Sequence, residues 1–213
     1  MNSVIVDYGS GNLHSAKKSF QLISNDLGQG EVLVSSDPKV ILRAKRIILP
    51  GVGSFNDCKL SLIKKAGLIE ALGERVLKDK IPFLGICVGQ QMMASNGLEN
   101  NKTTDGLGWV PGTVERISPS NLNLKIPHMG WNTLKFDRSH QLFDEINDQD
   151  HVYFVHSYHF KVDDPADRIC YTNYGQKVTA AVLKNNMVGT QFHPEKSQTV
   201  GLTFIRNFLT WQP

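Results

Sequence analysis

Apolar residues fall in short unbroken runs before residue 90 and in alternating segments beyond residue 105. Val4-Ile5-Val6 is a β-branched run; the turn-forming Asp7-Tyr8-Gly9-Ser10-Gly11-Asn12 follows, and then residues 13–23, whose spacing suits an amphipathic helix. Runs at 31–34 and 46–49 flank a short helical stretch near 38–43, and Pro50-Gly51-Val52-Gly53 ends the latter run. Residues 60–77 place Leu62, Ile63, Ala66, Ile69, Leu72 and Val76 at helical spacing, in one piece or two, ahead of an apolar run at 82–86. Strands that are apolar almost throughout, separated by amphipathic helices, predict a parallel sheet covered on both faces. The segments 114–117, 132–136, 152–155, 169–172, 178–183 and 188–192 read as largely antiparallel strands, and 199–210 as a closing helix. The predicted class is α/β: a doubly wound, mostly parallel, flavodoxin-like sheet with helices on both faces and an added antiparallel portion in the second half. A single domain over 1–213 is expected.

Composition refines this picture only by exclusion. The 213 residues are 40% hydrophobic and 20% charged, enough for a substantial core. A net charge of +3, from 23 Lys and Arg against 20 Asp and Glu, is too small and scattered for a nucleic-acid surface. The longest apolar stretches, such as 81–88, fall short of the roughly 18 to 20 residues that span a membrane, and the first residues lack a basic region leading into a long apolar one. The expectation is a cytoplasmic protein with no membrane contact. Cys58, Cys87 and Cys170 are odd in number and without paired spacing, which argues against a disulfide framework or a four-ligand zinc site.

Candidate chemistry centres on Gly85-Ile86-Cys87-Val88-Gly89, with glycines two residues before and after a cysteine, behind an apolar strand and ahead of a helix expected to end near Asn96-Gly97. That is the nucleophile-elbow pattern with Cys in place of Ser. The side chain there sits on a strained turn that small neighbours allow to close, and the helix start favours thiolate over thiol. Cys58 and Cys170 lack such flanks and read as core residues. A thiolate used for acyl transfer needs a histidine and a group to orient it. His193 ends an apparent strand and precedes Pro194, which biases it to an extended conformation. Residues two apart in such a segment share a side, so Glu195 is predicted to reach the His193 ring.

The elbow with Gln90-Gln91, together with Gln191-Phe192-His193-Pro194-Glu195, resembles the class I glutamine amidotransferase family, whose triad is an elbow Cys and a distant His-Pro-Glu. Residues 7–13, 50–55, 126–132, 152–158 and 195–197 narrow the resemblance to the branch that passes ammonia to a separate cyclase. The resemblance implies glutamine hydrolysis by Cys87, His193 and Glu195. It also implies an oxyanion hole from the amide of Val88 and the segment Gly51, Val52 and Gly53, completed only in an active conformation. The amino-acid end of L-glutamine would be held by Gln91 and Glu99 with backbone of Ser157 and Tyr158. The spacing agrees for Gln91, one helical turn beyond Cys87. The implied partner is a cyclase subunit of (β/α)8-barrel type in a heterodimer, with Asn12, Tyr153 and Lys196 near the interface. No cofactor is implied. One departure is Gln90, at a position usually held by Met.

Other readings fit less well. Gly9-Ser10-Gly11 begins like a dinucleotide fingerprint, but the third glycine position is His14. His156 and His159 would face opposite sides of a strand, unlike paired metal ligands. A paralogous glutaminase feeding another synthetase, as in amino-sugar biosynthesis, and a non-catalytic binding module on the same scaffold are the functional alternatives.

Overall fold

In the computed structural model, which describes residues 3–119 and 123–213, the apolar runs form the centre of an eight-stranded sheet. Its strands are β1 (Ser3–Val6), β2 (Val32–Ser35), β3 (Arg46–Gly51), β4 (Phe83–Cys87), β9 (Lys135–Phe136), β12 (Arg168–Asn173), β13 (Lys177–Lys184) and β14 (Met187–Thr190). The order is β2-β1-β3-β4-β14-β13-β12-β9. The first five are parallel neighbours and the rest antiparallel. β1, β3 and β4 are buried at every position, as a sheet covered on both faces requires.

The helices are α1 (Leu13–Asp26), α2 (Pro38–Ile41), α3 (Phe55–Ile63), α4 (Leu68–Gly73, prolonged by a π turn over Glu74–Lys78), α5 (Val88–Gln91) and α6 (Gln198–Thr210). α1 buries Ala16, Phe20 and Ile23 at helical spacing and meets α6 through Phe20 and Phe208, whose ring centroids lie 6.3 Å apart. The buried guanidinium of Arg46 donates to the Phe208 and Trp211 carbonyls at 3.2 and 2.9 Å, satisfying the end of α6. The helical pattern predicted over 60–77 is two helices, broken at Gly67 (φ 74°). The first begins earlier than expected because the Ser54 side chain caps it.

The antiparallel half divides differently from the expectation. Of the expected strands, 169–172, 178–183, most of 188–192 and the end of 132–136 extend the main sheet. A second sheet has the order β11-β7-β5-β6, from β5 (Asn96–Glu99), β6 (Lys102–Asp105), β7 (Gly112–Arg116) and β11 (Tyr158–Val162), and a third pairs β8 (His128–Thr133) with β10 (His151–His156). The expected strand 132–136 is cut at buried Leu134, whose backbone bonds to Asp150 and Gln149 instead of continuing a ladder. β6 is too polar and exposed to show the apolar alternation that marks a strand in sequence.

Candidate active site

β4 delivers Cys87 to the site at a backbone of φ 56° and ψ −112°, a conformation that costs a non-glycine residue about 1–3 kcal/mol and persists only where surroundings enforce it. The enforcement comes from Gly85 and Gly89. A Cβ on Gly89 would lie 1.8 Å from the Leu49 carbonyl oxygen, and one on Gly85 would lie 2.6 Å from that of Gly89. Gly89 is therefore required for the turn to close against β3, and Gly85 for α5 to fold back over β4. The following helix is one turn, α5, and not the longer helix expected to residue 96. The amides of Leu107, Gly108 and Trp109 donate to the carbonyls of Met92, Ala94 and Met93, so a distant loop takes the bonds that a longer helix would have made. α5 consequently offers a weaker positive end to the sulfur than a full helix.

His193 follows β14 and is locked to β10: its amide donates to the Tyr153 carbonyl at 3.0 Å, and its carbonyl accepts from the Ser197 hydroxyl at 2.7 Å. Its Nδ1 lies 2.8 Å from Glu195 Oε1. Pro194–Lys196 is a 3-10 turn, so the two side chains meet across a turn and not along an extended segment. Among the described residues Nε2 has no hydrogen-bond partner, and the Cys87 sulfur lies close enough to act on the ring. Burial by itself would lower the pKa of His193, but the Cys87 sulfur and then Glu195 outweigh it and raise it to about 10. The imidazole thus holds a proton, close enough to the sulfur to respond to its charge.

Cys87 is 4% exposed and opens onto a cavity of about 170 Å³ lined by Val52, Gly53, Val88, Gln91, Glu99, Ser157, Tyr158 and His193, among others. Of the oxyanion candidates, Val88 opens α5, where the first amides have no helical partner. Gly51 does not line the cavity; it packs beneath the elbow, where a Cβ would come within 2.7 Å of the Gly89 nitrogen. The Val52 N–H is engaged: it donates to the Ser10 hydroxyl at 3.2 Å, and that hydroxyl donates to the Val52 carbonyl at 2.8 Å. Behind it, the Tyr8 hydroxyl donates to the Pro50 carbonyl at 2.8 Å.

Gln91 Nε2 donates to the Tyr158 carbonyl at 3.0 Å and to Gln191 Oε1 at 2.9 Å. Its Oε1 is left as the acceptor that Gln91 can present to the cavity. Glu99 anchors one carboxylate oxygen on the Phe55 amide at 2.8 Å. The Tyr158 carbonyl accepts from Gln91 Nε2 and also lies 2.8 Å from His156 Nδ1, so it orients both side chains. His156 Nε2 meets His128 Nδ1 at 3.0 Å, and burial lowers these rings to about 3 and about 4, keeping both neutral. His159 turns elsewhere, to Gln176 at 3.0 Å, so the two histidines once weighed as a metal pair have separate partners.

Among the interface candidates, Asn12 accepts from the Ser15 amide and caps α1, whereas Tyr153 and Lys196 come together, with the ammonium 5.7 Å from the ring centroid. Beside them stand Trp131, 47% exposed and edge-on to Tyr153, and Met129, 66% exposed. The sequence reading quoted the segment holding Trp131 and Met129 without singling either out. It likewise passed over Gln191, inside the second motif, because no spacing rule shows which side chain a fold turns toward Cys87.

Gln90, the departure beside the nucleophile, is fully buried, and neither side-chain amide atom finds a hydrogen-bond partner among the described residues. Its chain instead packs against Gly189, where a Cβ would meet Gln90 Cγ at 2.5 Å. Gln90→Met, of similar shape and without the unpaired amide, is expected to stabilise the protein by about 1–3 kcal/mol in chemical denaturation. A destabilised Gln90→Met would mean that the amide is satisfied in solution.

The sequence model of the family "Glutamine amidotransferase class-I" matches residues 4–211. The chain is 54% identical over 213 residues to imidazole glycerol phosphate synthase subunit HisH of Cereibacter sphaeroides, covering 100% of both chains, and equally so to that of Ruegeria pomeroyi. Among solved structures it is similar to a glutamine amidotransferase at TM-score 0.71 and 19% identity, over 97% of this chain and 96% of that one. A glutamine amidotransferase of Thermotoga maritima gives TM-score 0.65 at 18% identity, over 98% and 96%. At such identities these two likenesses concern the fold.

Proposed function

Because this chain belongs to the class I glutamine amidotransferase family, we propose that its elbow cavity binds L-glutamine and that Cys87, His193 and Glu195 hydrolyse the side-chain amide. The protein is a glutaminase subunit of imidazole glycerol phosphate synthase, the enzyme for which its 54% identical relatives are named, and serves histidine biosynthesis. Full-length identity at this level favours that branch over a glutaminase of amino-sugar formation. The observation that carries the triad reading is the 2.8 Å contact from His193 Nδ1 to Glu195, which leaves Nε2 turned to the sulfur's surroundings.

The Cys87 thiolate attacks the amide carbon. The oxyanion forms near the Val88 amide, and His193 gives its proton to the departing ammonia. The resulting thioester is cleaved by water, whose proton His193 takes up, releasing glutamate. Glu195 keeps the ring in the required tautomer. Gln91 Oε1 accepts from the α-ammonium of glutamine, with Glu99 and the backbone of Ser157 close by. No cofactor enters this chemistry, and the chain acts as a single domain over 1–213.

The protein works as one subunit of a synthase. The partner proposed is a (β/α)8-barrel cyclase in a heterodimer, docked over Trp131, Met129, Tyr153 and Lys196, with Asn12 at the rim. No helix among the described residues is long and apolar enough to cross a membrane, and a cytoplasmic location is proposed. With the Val52 N–H held by Ser10, the oxyanion hole lacks a donor until the Gly51–Val52 peptide turns, and docking of the liganded partner would favour that turn. Glutamine turnover is therefore expected to be low for the isolated subunit and to rise with the cyclase and its nucleotide ligand. Equal turnover in both conditions, measured as glutamate release, would remove the gating part of the reading.

A further inference from the structure

We propose that Gln191 is a further catalytic residue, its side-chain N–H donating to the Cys87 sulfur and holding the thiolate for attack. This rests on the cysteine-hydrolase reading above and adds to it a residue that the triad does not include. Gln191 is 0% exposed, and its Nε2 lies 3.6 Å from Sγ.

Which end of the amide faces the sulfur follows from the partners. The Tyr158 carbonyl can only accept, so the Gln91 atom 3.0 Å from it is the nitrogen. The same nitrogen stands 2.9 Å from Gln191, where a donor must meet an acceptor. Gln191 therefore presents oxygen to Gln91 and nitrogen to Cys87. A flipped Gln191 would set two N–H groups against each other and a carbonyl oxygen against an anionic sulfur. His156 is oriented by the same carbonyl, since its Nδ1 must donate to it at 2.8 Å. One backbone carbonyl thus sets the direction of the whole chain of bonds that ends at the nucleophile.

A donor aimed at the sulfur favours its charged form over the neutral thiol, and bonds to charged groups are the stronger kind. That contribution matters here because α5 is one turn long and the sulfur has little access to solvent. The titratable groups around the sulfur are His193 after β14, His156 at the end of β10, Tyr158 in β11, Glu99 in β5, and Tyr8 and Cys58 behind the elbow. Of these, His193 supplies the proton in the reaction, while Gln191 has no titratable proton and holds the sulfur at every pH.

The test is the rate at which iodoacetamide alkylates Cys87 as a function of pH, followed by mass spectrometry. The sulfur bonds to the methylene carbon and iodide leaves. This reagent has no α-amino group, so it bypasses the substrate contact made by Gln91. In Gln191→Met, alkylation near neutral pH is expected to slow by about tenfold and to converge with the native rate at alkaline pH. Gln191→Glu, which keeps the shape and sets a carboxylate against the sulfur, should be slower still near neutrality. Circular dichroism and binding to the cyclase establish that each variant is folded. If the profiles of folded variants superimpose on the native one, or are slowed by one factor at every pH, Gln191 is a packing residue and the proposal is overturned. Failure of the native protein to react at Cys87 would overturn the cysteine-hydrolase reading and the role of Gln191 with it.

Discussion

Cys87→Ala is expected to abolish glutamine hydrolysis, lowering turnover by about 10⁴-fold or more, because no thioester can form without the sulfur. Folding and partner binding should survive: the side chain is small and buried, its neighbours Gly85 and Gly89 hold the turn by their own close contacts, and Cys87 forms no disulfide. Relief of the strained backbone is not expected either, since alanine also carries a Cβ at φ 56°. Glutamate release by Cys87→Ala, assayed with the cyclase present, is the decisive measurement. Appreciable turnover in that variant would remove covalent catalysis at this position.

The second large loss is expected at His193. His193→Ala removes the group proposed to protonate ammonia and to activate the hydrolytic water, and should reduce turnover by about 10²- to 10⁴-fold. It also deletes the positive partner that the sulfur meets, since the ring is held protonated between Cys87 and Glu195. Glu195→Gln is the informative comparison. Its amide oxygen can still accept from Nδ1, so an orienting role predicts a much smaller loss than in His193→Ala. Equal losses in the two variants would show that the negative charge of Glu195, and not its geometry alone, supports the imidazolium.

Much of the site was legible because its demands are local. Gly85 and Gly89 flag the elbow since a Cβ at either would strike backbone, a constraint visible as residue type without any coordinates. Pro194 after His193 marks the turn that aims the ring, although a 3-10 turn does the aiming where an extended segment was expected. The apolar runs that became β1, β3 and β4 were equally plain, because strands buried on both faces leave no polar alternation. The short α5 was misread for the opposite reason. Residues 88–96 read as helix in isolation, and only the loop at 106–110, returning to take the carbonyls of residues 92–95, ends it.

The sequence by itself therefore determined the order of strands and helices in the parallel half and the strained cysteine between its two glycines, because sterics and burial act on each residue through its nearest neighbours in the chain. Tertiary structure alone decided how the second half divides into sheets, that Ser10 holds the Val52 amide, and that Gln191, far along the chain, points its N–H at the sulfur. Those are contacts between residues tens to a hundred positions apart, and a directional hydrogen bond exists only once the fold has set both its ends within reach.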